Sequence, residues 1–240
     1  GVGYTLDDGL VGYWHFDNLS GFGENATHTY DFSGNGNNGT AFGGVGTDST
    51  FNENGVYNKM KNFDGTSDYI SHGDVLDFRG DEAFSGFMWM RVSRIPDAFQ
   101  VFMGKQDDNS NRRGWVFRTG VPGERQKLQF SIIYDGQVTN AIRVDSTTNV
   151  FLDTDWHHIG FTYDGRGNAF GVELYVDGLA IADTASLNSL TNNATVHSDP
   201  FGIGARVNDV AGDFNGSMDE VMVYNRTLSA TEVKELYIKG

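Results

Sequence analysis

Cysteine is missing from this chain and proline occurs three times in 240 residues. The first absence excludes a disulfide framework and thiol chemistry. It leaves the compartment open, because an exported domain can be stapled by a bound Ca²⁺ instead. The second, with no charge run or proline-rich stretch, leaves no visible linker, so residues 1–240 read as one domain. Basic residues are also few: 17 Lys and Arg stand against 32 Asp and Glu, a net charge of −15. That balance argues against nucleic acid and anionic membrane surfaces, which need a basic patch. No signal peptide and no membrane-spanning apolar run is visible, and the start at Gly1 fits a mature or excised domain. Nucleophile elbows, His-Glu-x-x-His zinc motifs and phosphate loops are lacking too.

What the chain has is glycine and bulk: 32 Gly, 18 Phe, 10 Tyr and 4 Trp. Frequent turn punctuation between short apolar runs, with aromatics to fill a core, predicts an all-β, two-sheet antiparallel sandwich. Phe84 to Val92 is the most hydrophobic run, apolar on both faces, and belongs at a sheet centre. Residues 57–63 and 69–72 flank Asp64-Gly-Thr-Ser-Asp68 and read as a hairpin-like pair. Residues 128–134 and 138–144 read as a hairpin closed by an Asp135-Gly136 type I′ turn. Residues 18–55 and 186–200 read as long Gly/Asn-rich loops. Asn-x-Ser/Thr sequons begin at Asn18, Asn25, Asn38, Asn193, Asn215 and Asn225, acceptors for glycosylation where the machinery exists.

The two ends of the chain carry the clearest motifs. Met218, Val221, Val223 and Tyr224 make a closing strand interrupted by Asp219-Glu220. In a regular strand these adjacent acids face opposite sides, so one of them is crowded and needs a cation or donors. Ser229-Ala-Thr-Glu232 is a capping box opening a short terminal helix that carries Val233, Leu236 and Tyr237 on one side. At the other end, Gly9-Leu-Val-Gly-Tyr-Trp-His-Phe-Asp17 is a strand ending in a carboxylate. It is followed by Asp31-Phe-Ser-Gly-Asn-Gly-Asn-Asn-Gly-Thr40.

These two ends resemble the laminin-G-like jelly roll of the concanavalin A-like lectin/glucanase superfamily, to which pentraxins are related. The resemblance runs from about Gly9 to Tyr237 and implies a jelly-roll sandwich with a short C-terminal helix. It implies a structural Ca²⁺ where the first strand, the glycine loop and the closing strand meet, with Asp17, Asp31, Asn35 and Asp219 at the matching positions. The plainer alternative is that these acids cap turns. A second, pentraxin-like Ca²⁺ position is implied at the loop 106–111, through Asp107 and Asn109, with Asp209 across from it. Beside it lie candidate ligand-binding residues Arg112, Arg113, Trp115, Arg118, Tyr134, Asn208 and Asp213, an arginine cluster near aromatics suited to an acidic sugar. Two solvated polar loops are the competing reading. His157 and His158 fall on opposite strand faces and cannot share an ion.

The Glu-x-Asp-x-Glu run of glucanase relatives is absent, so no catalytic residue is assigned. The expected function is a calcium-stabilised, secreted or cell-surface carbohydrate-binding or adhesion module with a glycan or glycoprotein partner. The alternatives are a glycan hydrolase or lyase using acids such as Glu173 or Glu220, and a structural spacer without ligand.

Overall fold

A computed structural model describes residues 5–44, 51–52, 55–107, 111–135, 140–191, 193–208 and 211–239. In chain order the strands are β1 (Leu10–Trp14), β2 (His28–Thr29), β3 (Gly39–Phe42), β4 (Phe51–Asn52), β5 (Met60–Asp64), β6 (Tyr69–Ser71), β7 (Phe84–Val92) and β8 (Val101–Gln106). They continue as β9 (Gly114–Thr119), β10 (Leu128–Asp135), β11 (Asn140–Ser146), β12 (His157–Tyr163), β13 (Val172–Val176), β14 (Leu179–Ile181), β15 (Asp183–Asn188), β16 (Gly202–Ile203) and β17 (Asn215–Tyr224). One α-helix, α1 (Ala230–Lys239), follows.

The eight-stranded sheet runs β14-β13-β12-β7-β17-β5-β4 with β1 also on β17, and the nine-stranded sheet runs β15-β11-β10-β9-β8-β16-β6-β3-β2. Every pairing is antiparallel. Alternate residues of both sheets meet in one core, where Phe84 contacts Phe78, Trp115, Phe130 and Phe161. β7 lies between β12 and β17, the central position its two apolar faces require.

The capping box forms as its sequence dictates: the Ser229 amide donates to Glu232 Oε2 at 2.8 Å and the Glu232 amide to Ser229 Oγ at 3.3 Å. The helix then lays Val233 and Leu236 on Phe87, Tyr175 and Tyr224, covering the outer face of the eight-stranded sheet. Tyr237 stacks on Trp89.

Two expectations are corrected. Residues 57–63 and 69–72 are not a hairpin: β5 pairs with β17 in one sheet, and β6 pairs with β3 and β16 in the other. The 64–68 segment crosses between sheets, because Asp64 accepts from the Thr66 and Ser67 amides while Asp68 Oδ2 accepts from the Asp64 amide. Residues 186–188 of the expected 186–200 loop are strand, since β15 pairs with β11. The type I′ turn at Asp135-Gly136 extends outside the described residues.

Candidate functional site

The first site is where the chain's ends meet. β17 has β7 along one edge, but on the other edge β5 pairs only with Asn215–Met218 and β1 only with Val221–Tyr224. Asp219 and Glu220 fill the gap between these two partners. There the register against β7 slips: Asp219 opposes Trp89 and Met222 opposes Phe87, three steps against two. Glu220 absorbs the extra residue with φ +51°, a β-bulge. Met218 and Val221 both enter the core, so the two acids between them fall on the outer face together. The expectation that they face opposite sides is overturned by this bulge.

Asp17 joins them. Its Oδ1 accepts from the Lys59 amide at 3.0 Å and its Oδ2 from Asn58 Nδ2 at 3.3 Å, while the neighbouring Tyr57 amide donates to Asp219 Oδ2 at 3.1 Å. One short segment thus bridges Asp17 and Asp219. Tyr13 Oη donates to Glu220 Oε2 at 2.5 Å. Asp219 is fully buried and Glu220 nearly so. Among the described residues no lysine or arginine pairs with any of the three carboxylates. Burial, then the charges of Glu220 and Asp17, push Asp219 up to about 8 despite two amide donors. Burial and Asp17 push Glu220 up to about 7, against the pull of the Tyr13 hydroxyl.

The chemistry suits a hard divalent cation: carboxylate oxygens, excess negative charge and two chain ends to hold, with one imidazole nearby, His15 Nδ1 at 3.6 Å from Asp17 Oδ2. The fit is partial, for among the described residues no three acidic or histidine side chains already stand as a metal cage. The other two expected ligands are engaged in hydrogen bonds of the glycine loop. Asp31 Oδ1 accepts from the Tyr13 and Ser33 amides, and its Oδ2 from Ser33 Oγ and the Asn37 amide. Asn35 Nδ2 donates to the Leu10 carbonyl and to Ser33 Oγ. These bonds are those the turn-capping alternative describes, and side-chain amides of Asn35 and Asn37 fasten the glycine loop to β1. Asp17 and Asp219 are the expected pair that the fold brings together; Glu220, Tyr13 and the 57–59 segment are what sequence reasoning missed.

Of the second expected Ca²⁺ position, Asp107 alone falls among the described residues. Asp107 closes the β8–β9 connection, its Oδ1 accepting from the Arg113 amide at 2.9 Å. Asn109 and Asp209 lie outside the described residues. Among the ligand candidates, Trp115 is corrected: strand parity turns it inward, 1% exposed, with Nε1 donating to the Leu76 carbonyl. Arg113 stacks 4.9 Å from the Tyr134 ring and donates to that residue's carbonyl. Asn208 donates to Asp199. Asp213 stands near Asp64 and Asp68, and burial with their charge raises it.

Arg118 and Arg112 do belong to a shared feature, completed by residues the sequence did not single out. On the outer face of the nine-stranded sheet, register aligns Val116, Ser131 and Arg143 in one row and Arg118, Gln129 and Asp145 in the next. Arg118, Arg206 and Arg125 gather on the Phe99 ring at 4.8, 5.3 and 5.9 Å. Burial first, then repulsion from Arg143 and Arg125, lowers Arg118 to about 9. Arg112, Arg118, Arg143 and Arg206 line a cavity of about 40 Å³ with Phe99 and Ser131.

The His pair behaves as its parity requires. His157 bonds Asp177 and Asp153, whereas His158 is buried against Phe87 and Trp89.

Residues 64–234 match a laminin G model described as the concanavalin A-like lectin/glucanases superfamily. No curated protein matches the chain in sequence. Among solved structures, it is similar to the binding domain of Paraclostridial mosquitocidal protein 1, at 18% identity and TM-score 0.68, over 97% of this chain and 52% of that one. It is similar to domain 4 of an extracellular arabinanase from Geobacillus stearothermophilus, solved with arabinotriose, at 21% identity and TM-score 0.62, over 95% and 98%. A third is the receptor-binding domain of botulinum neurotoxin D, at 13% identity and TM-score 0.64, over 98% and 53%. The chain spans about half the length of the two toxin domains. At these identities the structural likeness speaks for the fold, while the sequence match covers most of the chain. The protein belongs to the concanavalin A-like lectin/glucanases superfamily.

Proposed function

We propose that this chain is a carbohydrate-binding module of a secreted or cell-surface protein, stabilised by Ca²⁺ and binding a glycan or glycoprotein on the outer face of the nine-stranded sheet. The observation that carries the reading is the Phe99 assembly. A chain of net charge −15 gathers Arg118, Arg125 and Arg206 on one ring, and Arg118, lowered to about 9 by burial and by its arginine neighbours, favours an anionic ligand. The arabinanase domain solved with arabinotriose, matched end to end, supports a glycan as that partner. Asp17, Asp219 and Glu220 would hold the cation, whose charge would offset theirs. Asp17 and Asp219 hold the 57–59 segment between the two chain ends, and Tyr13 orients Glu220 from β1. Among the described residues no helix is long and apolar enough to cross a membrane, and the acidic balance disfavours nucleic acid.

Glycan-array binding with and without a chelator tests this. Glycan binding to wild type supports the module, and no binding to any glycan at saturating Ca²⁺ refutes it and favours a spacer.

One observation favours an enzyme instead. Asp219 and Glu220 share a face, and Glu220 lines a cavity of about 490 Å³ with Tyr13, Tyr57 and Tyr224. Reducing-sugar and unsaturated-product assays on polysaccharides decide between the two; turnover abolished by Glu220→Gln establishes the enzyme.

A further inference from the structure

Arg118 is the anomaly of the outer sheet face. It projects from β9 opposite Gln129 and Asp145, and its neighbours Phe117 and Phe130 fill the core on the other side. Among the described residues its guanidinium forms no ion pair and donates no hydrogen bond; its one contact of note is the Phe99 ring. Asp145, the acid in its row, is already engaged on both oxygens, by Gln129 Nε2 and by Ser186 Oγ. In the adjacent row Ser131 is 1% exposed, and among the described residues its hydroxyl has no hydrogen-bond partner. A partly buried guanidinium and a buried hydroxyl, both short of partners, line the same cavity with Arg143 and Arg206. Such groups are stable only when something supplies the missing acceptor.

Size and charge define that acceptor. On a scale where one water needs roughly 10–15 Å³, a cavity of about 40 Å³ takes a carboxylate or sulfate group and excludes a sugar ring. The ring would remain at the mouth, beside Phe99. The arginine fork suits an oxyanion with two oxygens in plane.

We propose that this cavity anchors an acidic glycan, receiving one oxyanion group of a sugar, a uronate carboxylate or a sulfate ester, between Arg118, Arg143 and the Ser131 hydroxyl. The assignment rests on the glycan-binding reading above and names its ligand class. Arg118 and Arg143 supply charge-assisted donors, Ser131 supplies a third donor, and Phe99 holds the guanidinium of Arg118 in place. Asp145 fixes the row beneath and remains bonded within the protein.

Isothermal titration of the whole chain tests it, with four probes: an oligogalacturonate, a sulfated galacto-oligosaccharide, neutral arabinotriose and inorganic sulfate. One or both acidic oligosaccharides are expected to bind, more weakly as NaCl rises. Arg118→Gln weakens that binding about tenfold to a hundredfold, and Ser131→Ala a few-fold, as loss of donors to a charged group requires. The melting temperature of Arg118→Gln does not fall, because an unpaired cation has been removed. The two acidic arms tell carboxylate from sulfate. If arabinotriose binds as well as the acidic probes and Arg118→Gln changes nothing, the anchor is overturned while glycan binding stands. If only inorganic sulfate binds, the anchor for a sugar acid is overturned. If no probe binds wild type, the anchor falls, and the array above decides the glycan-binding reading. A lower melting temperature in Arg118→Gln with acidic binding unchanged makes Arg118 structural and also overturns the assignment.

Discussion

Replacing Asp219 with Asn isolates the charge at the junction of the two chain ends. An ordinary aspartate titrates near 3.8, and Asp219 in the fold titrates near 8. Between those values the folded chain holds a proton that the unfolded chain has released. Stability from this group is therefore fully present below about 4, and it is lost as pH rises toward 8. From pH 5 to pH 8, at ~1.4 kcal/mol per pH unit, the loss is on the order of 4 kcal/mol. At ~2–4 °C per kcal/mol for a chain of this size, that is roughly 10 °C in melting temperature. Asp219→Asn keeps an oxygen for the Tyr57 amide and removes the charge, so its melting temperature changes less over the same interval; Glu220, raised to about 7, still contributes its part in both proteins. The assay is thermal unfolding of both proteins in chelator at pH 5 and pH 8, repeated with saturating Ca²⁺. Wild type at pH 8 recovers with Ca²⁺, and Asp219→Asn does not. Parallel curves for the two proteins in chelator would mean that the Asp219 charge does not limit stability at pH 8.

Other outcomes follow from the same geometry. His157 is raised to about 9, mainly by its bond to Asp177 with help from Asp153 and against burial. Its stabilisation is present below about 6.5 and lost as pH rises through 9, and partial exposure limits it to ~1 kcal/mol; the difference in melting temperature between wild type and His157→Gln is present at pH 6 and gone at pH 10. Trp115→Phe leaves the Leu76 carbonyl without its donor and costs about 1–3 kcal/mol in denaturant unfolding, with acidic-glycan affinity unchanged, because Trp115 faces the core.

Much of the architecture was legible in the chain. Two-faced apolarity placed β7, the turn dipeptides marked most strands, and Ser229 with Glu232 marked the helix start. The proximity of the two ends was also legible, and β1 does pair with β17. The bulge was not: nothing about a glutamate announces φ +51°, and a one-residue slip reverses the side on which an acid falls. The crossover at 64–68 looked like a hairpin because local turn chemistry does not say which sheet each flank joins. Parity could have sorted Trp115 from Arg118, since Trp115 and Phe117 alternate with Val116 and Arg118. Arg143 and Ser131 were beyond reach, because their convergence depends on the register of several strands. Asp31 and Asn35 match the family's loop pattern, and their hydrogen bonds into β1 show a second way of securing it.

The most direct test is an anomalous-difference map from crystals grown with saturating Ca²⁺. One peak is expected, bounded by Asp17, Asp219 and Glu220, with oxygen distances of about 2.3–2.6 Å. A map with no peak there, or with its peak in the Asp31 loop, contradicts that expectation.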